Sequence, residues 1–232
     1  MTDEIKAPLD QGETRDMTVV KIVLGFVPLV GGALAEVAGC VNDNLSRRQE
    51  HWMLQVTAAI NDLQRKLNIS VEQLMQSERF TSFLLQATPI ALKNHQQAKI
   101  EALKNALFSV GELEFSNEDL AFQYLRYIDE LTVSHLGILH AISKNEDAFK
   151  EVRSMEAAFQ MLTQEESPNL SLNVMRAYIR DLDYKGLINA ADLEDLPEFE
   201  SKAGYVAKEQ SARNSLKVTN MGAEFLSFVS QR

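Results

Sequence analysis

Residues 52–67, WMLQVTAAINDLQRKL, decide the fold class. Met53, Val56, Ile60, Leu63 and Leu67 recur at intervals of three and four, while Asp62, Arg65 and Lys66 fall between them. That period places the apolar side chains on one stripe of a helix that must pack against another helix. Asn68 is a suitable stop, and Ser70 followed by Gln73 reads as a capping box that opens the next helix. This second helix is expected to run through Leu74, Met75, Phe80, Phe83, Leu84 and Ala87 until Thr88-Pro89 ends or kinks it. Helix resumes at about Ile90 with Ile100, Leu103, Leu107 and Val110, and Gly111 closes it.

Beyond a loop at 111–117, Ser116 and Asp119 form a further capping signature. One long helix is then expected to carry Leu120, Leu125, Ile128, Leu131, Leu139 and Ile142, and another covers about 146–163 with Val152, Met155, Phe159 and Leu162 inward. No alternating strand pattern of useful length occurs in the first two-thirds of the chain. The fold class expected is mainly α: an antiparallel helical bundle, then an α+β module with a short two-stranded wing.

Composition fits this picture. The 232 residues are 45% hydrophobic and 24% charged, a globular balance that argues against global disorder. With 33 acids and 23 bases the formal charge is −10, which disfavours polyanion binding by the whole chain but leaves room for a local basic patch. The single cysteine, Cys40, excludes an intramolecular disulfide and a Cys-based zinc cluster. It sits in an apolar run, Val37–Val41, which fits burial better than nucleophilic chemistry.

Asp3, Glu4, Asp10 and Glu13 make the beginning of the sequence acidic, unlike the positive start of a secretory signal, so a cytoplasmic location is expected and residues 1–16 read as a flexible tail. Residues 22–35, IVLGFVPLVGGALA, carry no charge and are bracketed by Lys21 and Glu36. Spanning a bilayer takes about 20 apolar residues, more than this core supplies. Pro28 suits a first helical turn, and Gly31, Ala35 and Gly39 then fall at i, i+4 and i+8, a small-residue stripe that lets another backbone approach closely. Two readings of residues 17–41 stand side by side: a buried helix or hairpin, suggested by the length, and a segment that engages membrane when triggered, suggested by glycines that are costly in a purely structural helix.

The last third changes character. Residues 165–169, EESPN, form a linker-like break, Leu170–Tyr184 reads as a helix, and Gly186 turns the chain into Leu187-Ile188. An acidic irregular stretch follows, then Leu216–Thr219 as a returning strand and a helix capped by Thr219 or Asn220. The phrases TVSHLGILHAI (132–142), RDLDYKGLI (180–188) and LKVTNMGAEFLSFV (216–229) resemble the first helix, the third helix with its wing strand, and the returning strand with closing helix of a winged-helix module. Such a module suggests DNA, for which Arg176, Arg180 and Lys185 are the candidate contacts. Asp181, Asp183, Asp192, Glu194, Asp195, Glu198 and Glu200 would face phosphate, so packing or protein contact is the reading preferred and a DNA-binding regulator is the alternative. Residues 181–192 also match part of a calcium-binding loop, with acids at its first, third and twelfth positions and Gly186 at the sixth. Lys185 stands where an oxygen ligand belongs, and Asp192 replaces the long bidentate glutamate.

Nothing in the sequence points to an enzyme. His51, His95, His135 and His140 lack zinc-ligand spacing, and neither a phosphate loop nor a nucleophile elbow occurs. No cofactor, metal or small-molecule substrate is expected; the expected partners are another protein or a second copy of the chain, with membrane next and nucleic acid last.

The order of features also resembles the abortive-infection alpha group of bacterial proteins. The shared elements are the apolar Gly/Pro segment VPLVGGALAEVAG (27–39), the charged helix DNLSRRQEHW (43–52), QSERFTSFLLQA (76–87) ahead of KIEALKNAL (99–107), and the closing KGLI…VTNMGAEFLSFV. The resemblance implies phage resistance through growth arrest or death of the infected cell, and it carries no catalytic residues. The loop from Gly186 to Leu216 is longer here. The organisation expected is a tail at 1–16, an amino-terminal helical region at 17–115 and a carboxyl-terminal module at 116–232.

Overall fold

The computed structural model describes residues 38–112, 117–152, 154–164, 170–190, 193 and 216–230. The described residues form ten helices and one two-stranded antiparallel sheet, so the chain is mainly helical. Its contacts group into two compact units, residues 1–130 with 228–232, and residues 131–227. The expected boundary at 115–116 precedes a helix that belongs to the first unit.

The first unit contains α1 (Ala38–Leu67), α2 (Val71–Gln76), α3 (Glu78–Lys93), α4 (Gln97–Gly111) and α5 (Glu118–Glu130). Helix α4 packs on α1, α3 and α5. The stripe read from the sequence faces this core, since Met53, Val56, Ile60 and Leu63 are buried. Leu67 is not: at 41% exposure it is the last residue of α1, beyond the packed face. Asn68 ends the helix in the left-handed region (φ 54°), a conformation its short polar side chain tolerates. The Ser70–Gln73 capping box is formed in both directions.

Three breaks differ from the sequence reading. The helix expected from 71 onward is two helices, because the Ser77 hydroxyl accepts the Phe80 N–H and starts α3 anew. Pro89 neither ends nor interrupts α3, which runs on to Lys93; the proline lies on the exposed side, and the break comes at 94–96. The long helix expected after 117 stops at Glu130, where Thr132 caps a new one. Asn117 accepts the Leu120 N–H at the start of α5, and Ser116 lies outside the described residues. Gly111 closes α4 for a reason other than turn geometry: a Cβ there would lie 2.4 Å from Leu63 Cδ1, so the glycine admits a buried neighbour. Arg79 meets the exposed end of α4 by donating to the carbonyls of Val110 and Glu112.

Several polar side chains buried in this core are paired. Trp52 Nε1 donates to Thr88 Oγ1 at 3.1 Å, and that hydroxyl donates to the Leu84 carbonyl at 2.8 Å. Lys99, 5% exposed, donates to the Asp129 carbonyl at 2.8 Å. Burial lowers its pKa, and Asp129 offsets part of that effect. Phe228 lies against Phe83 and Tyr124, at ring-centroid distances of 6.1 and 5.3 Å. Its carbonyl accepts from Ser109 Oγ, while the Val229 carbonyl accepts from Asn105.

The second unit contains α6 (Val133–Lys144), α7 (Glu146–Phe149), α8 (Met155–Gln164), α9 (Leu172–Tyr184), β1 (Ile188–Asn189) and β2 (Lys217–Val218). It also holds α10 (Asn220–Val229) as far as Ser227. The helix expected over 146–163 is thus a single turn and a separate helix, α8, at whose start the Ser154 hydroxyl accepts the Ala157 N–H. Helix α9 packs on α6, α8 and β1, and α6 also meets β2. Ile188 pairs with Val218 and Asn189 with Lys217.

Gly186, at φ 72°, lets α9 turn into β1; its N–H reaches the Asp183 carbonyl while the Leu187 N–H reaches that of Leu182, the paired bonds of a Schellman ending. Thr219, rather than Asn220, caps α10: its hydroxyl accepts the Gly222 N–H, donates to the Gly186 carbonyl at 2.6 Å, and its own N–H reaches the Leu187 carbonyl.

Candidate functional site

Helix α9 carries the residues singled out for nucleic-acid contact. Its apolar side, Met175, Ile179 and Leu182, is fully buried, which fixes the helix's rotation about its axis. Asn173, Val174, Ala177, Arg180 and Tyr184 are left exposed, with Tyr184 at 91% the most exposed large apolar side chain among the described residues.

Most of the remaining charges on α9 brace the unit internally. Arg176 faces Glu156 of α8 at 3.6 Å. Lys185, only 14% exposed, faces Asp181 Oδ1 at 3.5 Å, one helical turn back. Asp183 accepts the Ala190 N–H at 2.8 Å, tying the end of the helix to the end of β1. Asp181 Oδ2 lies 3.4 Å from Nε2 of the buried His135 on α6, whose ring sits 4.0 Å, centroid to centroid, from that of Tyr178. Of Arg176, Arg180 and Lys185, therefore, only Arg180 lies on the exposed side of α9. The helix brings the three together in sequence order but not into one cationic surface.

His135 explains how α6 begins. Its N–H is accepted by the Thr132 hydroxyl, while its Nδ1 accepts the Thr132 backbone N–H at 3.1 Å. Because Nδ1 is the acceptor, the proton of the neutral ring sits on Nε2, facing Asp181. Threonine, histidine and aspartate thus stand in the order of a catalytic triad, but the hydroxyl here is a helix cap and the buried imidazole lies against the tilted Tyr178 ring. The spacing of Thr132 and His135 is a capping-box signal in the sequence; the aspartate partner, on another helix, is not.

The calcium-loop reading meets a different geometry. Asp181 and Asp183 lie within α9, both engaged by protein groups, and Asp192 lies outside the described residues. Among the described residues no group of three or more potential ligands stands close enough to hold a metal ion.

Gly31 and Ala35 lie outside the described residues, as does the tail at 1–16, while Gly39 falls in the first turn of α1. No helix among the described residues is long and apolar enough to cross a membrane.

Compared with protein-family models, curated proteins and solved structures, the chain has no match.

Proposed function

We propose that this chain is a non-enzymatic interaction protein of the abortive-infection type, acting through protein contacts, with residues 17–41 engaging membrane when triggered. The observation that carries the protein-contact reading is the exposed side of α9. One arginine, one tyrosine and small or aliphatic residues make the composition of a protein interface, where tyrosine and arginine anchor binding. Duplex DNA requires several unpaired cations along one face, and this helix offers Arg180 alone. The order of the second unit, helices α6, α8 and α9 followed by two paired strands and a last helix, supports a winged-helix-like module used in this way.

The test is expression in a bacterial host under an inducible promoter. Growth arrest is expected with the full chain, together with leakage of dye-loaded anionic vesicles by the purified protein. Deleting residues 17–41 abolishes both, whereas Tyr184→Ser and Val174→Ser relieve arrest alone. Normal growth with the full chain sinks the effector reading. A mobility shift with duplex DNA that weakens steeply with salt and is lost in Arg180→Gln establishes the DNA-binding alternative instead.

A further inference from the structure

The first unit contains a concavity of about 270 Å³ between α1, α3 and α4 whose chemistry differs from that of the chain as a whole. Arg47, Arg48 and His51 line it from α1, and Asn94 and His95 from the connector before α4. Its floor is apolar, made of the buried Ala91 and Ile100. Among the described residues no carboxylate lines it, in a chain whose formal charge is −10.

Its walls are held in place. Arg48 Nη1 donates to the Leu92 carbonyl at 3.2 Å, anchoring the guanidinium at the end of α3 by one of its five N–H donors. Gln97 donates to Glu101 at 3.0 Å, which turns its carbonyl oxygen toward His51, 3.0 Å from Nε2. That contact makes Nε2 the donor and leaves Nδ1 as the second functional atom of the ring. Helix α4, 15 residues long, begins beside the connector, and Gln96 at its N-cap makes no side-chain cap bond.

We propose that this concavity binds a small organic phosphate monoester. A guanidinium fork matches phosphate oxygens, and two arginines suit a dianion better than a carboxylate. The apolar floor takes the organic body. A volume just under the usual lower bound of about 300 Å³ for small-molecule sites limits that body to roughly nucleoside size.

Calorimetry on the full chain in low-salt, phosphate-free buffer tests this with adenosine monophosphate, ribose 5-phosphate, inorganic phosphate and phosphatidate vesicles as separate titrants. Saturable one-to-one binding of at least one ester is expected, with inorganic phosphate about tenfold weaker for want of floor contacts. Arg47→Gln and Arg48→Gln each weaken the ester by about tenfold or more, the loss of a charge-assisted bond. Arg180→Gln, in the other unit, leaves it unchanged. Arg47 is exposed and no bond from it to the described residues anchors the fold, so its variant remains informative even where Arg48→Gln unfolds. Absence of saturation by either ester at 10 mM (about the weakest affinity worth calling a site), equal affinity for inorganic phosphate, binding of vesicles alone, or an equal loss in Arg180→Gln would each overturn the proposal.

Discussion

Gly222 is the described glycine least able to accept an added atom. A Cβ on it would lie 2.0 Å from the Leu187 carbonyl oxygen, 2.9 Å from the carbonyl carbon and 2.8 Å from Val218 Cγ1. A carbon and a carbonyl oxygen tolerate roughly 3.3 Å, so Gly222→Ala must push α10 and Leu187, the residue before β1, apart by about 1.3 Å. The Leu187 oxygen also accepts the Thr219 N–H at 3.1 Å, and the Thr219 hydroxyl links Gly222 to Gly186. Two hydrogen bonds at about 1 kcal/mol each are lost or stretched, and overpacking adds about 1–3 kcal/mol. Alanine returns about 1 kcal/mol through helix propensity. The net expectation is a loss of about 2–4 kcal/mol, or a urea midpoint lower by roughly 1–2 M for a slope near 2 kcal/mol/M. Far-UV circular dichroism measures the midpoint, and amide exchange at Thr219 should accelerate in step. Ala223→Gly, on the exposed side of the same turn, serves as the control for propensity alone. A Gly222→Ala variant as stable as the parent would refute the argument that this backbone approach is what the glycine permits.

Thr88→Val leaves the Trp52 indole N–H without its acceptor in a site where both residues are buried, so a loss of about 1–2 kcal/mol is expected in chemical denaturation, with a shifted tryptophan emission as its local signature. Lys99 binds its proton less readily when folded than when unfolded, because burial lowers its pKa from the ordinary 10.5. The unfolded chain therefore holds more protons between the lowered value and 10.5, and stability gains a positive contribution as pH rises through that window. Urea midpoints of the parent and of Lys99→Met, followed across alkaline pH, should converge from below if the methionine variant is the more stable near neutrality; parallel curves would count against it. Asp181→Asn removes the charge shared by His135 and Lys185, and a lower midpoint is expected, with a changed His135 ring resonance pattern by NMR.

Much of the helical framework of both units could be read from the chain because its helices are set by local chemistry. The Met53–Leu63 stripe, the Ser70–Gln73 box, Asn68 as a stop, Gly186 as a turn and Thr219 as a cap all depend on residues within one or two helical turns. The misread places are those where apolar periodicity continues across a break. At Ser77 and at Thr132 a hydroxyl restarts the helix while leucines and phenylalanines keep the rhythm going, so the period alone suggests one long element. Pro89 misleads in the opposite sense, since a proline on an exposed helix side is tolerated when the packed side is strong. What no spacing could show is pairing between distant elements: His135 with Asp181, Arg176 with Glu156, Arg48 with the end of α3 and His51 with the start of α4. Of the three cations offered to the DNA-binding alternative, Arg176 and Lys185 face Glu156 and Asp181, partners that the sequence order alone does not reveal.

The seat of Phe228 has a kinetic consequence. Ser109 and Asn105 are bonded to the backbone of residues 119 and 124 positions further along, and Phe228 joins the Phe83–Phe122 and Tyr124–Tyr127 ring pairs only after the whole second unit has been synthesised. Closure over such a span slows folding. During synthesis the earlier helices of the first unit must therefore wait for a piece of their core that is made only after the second unit.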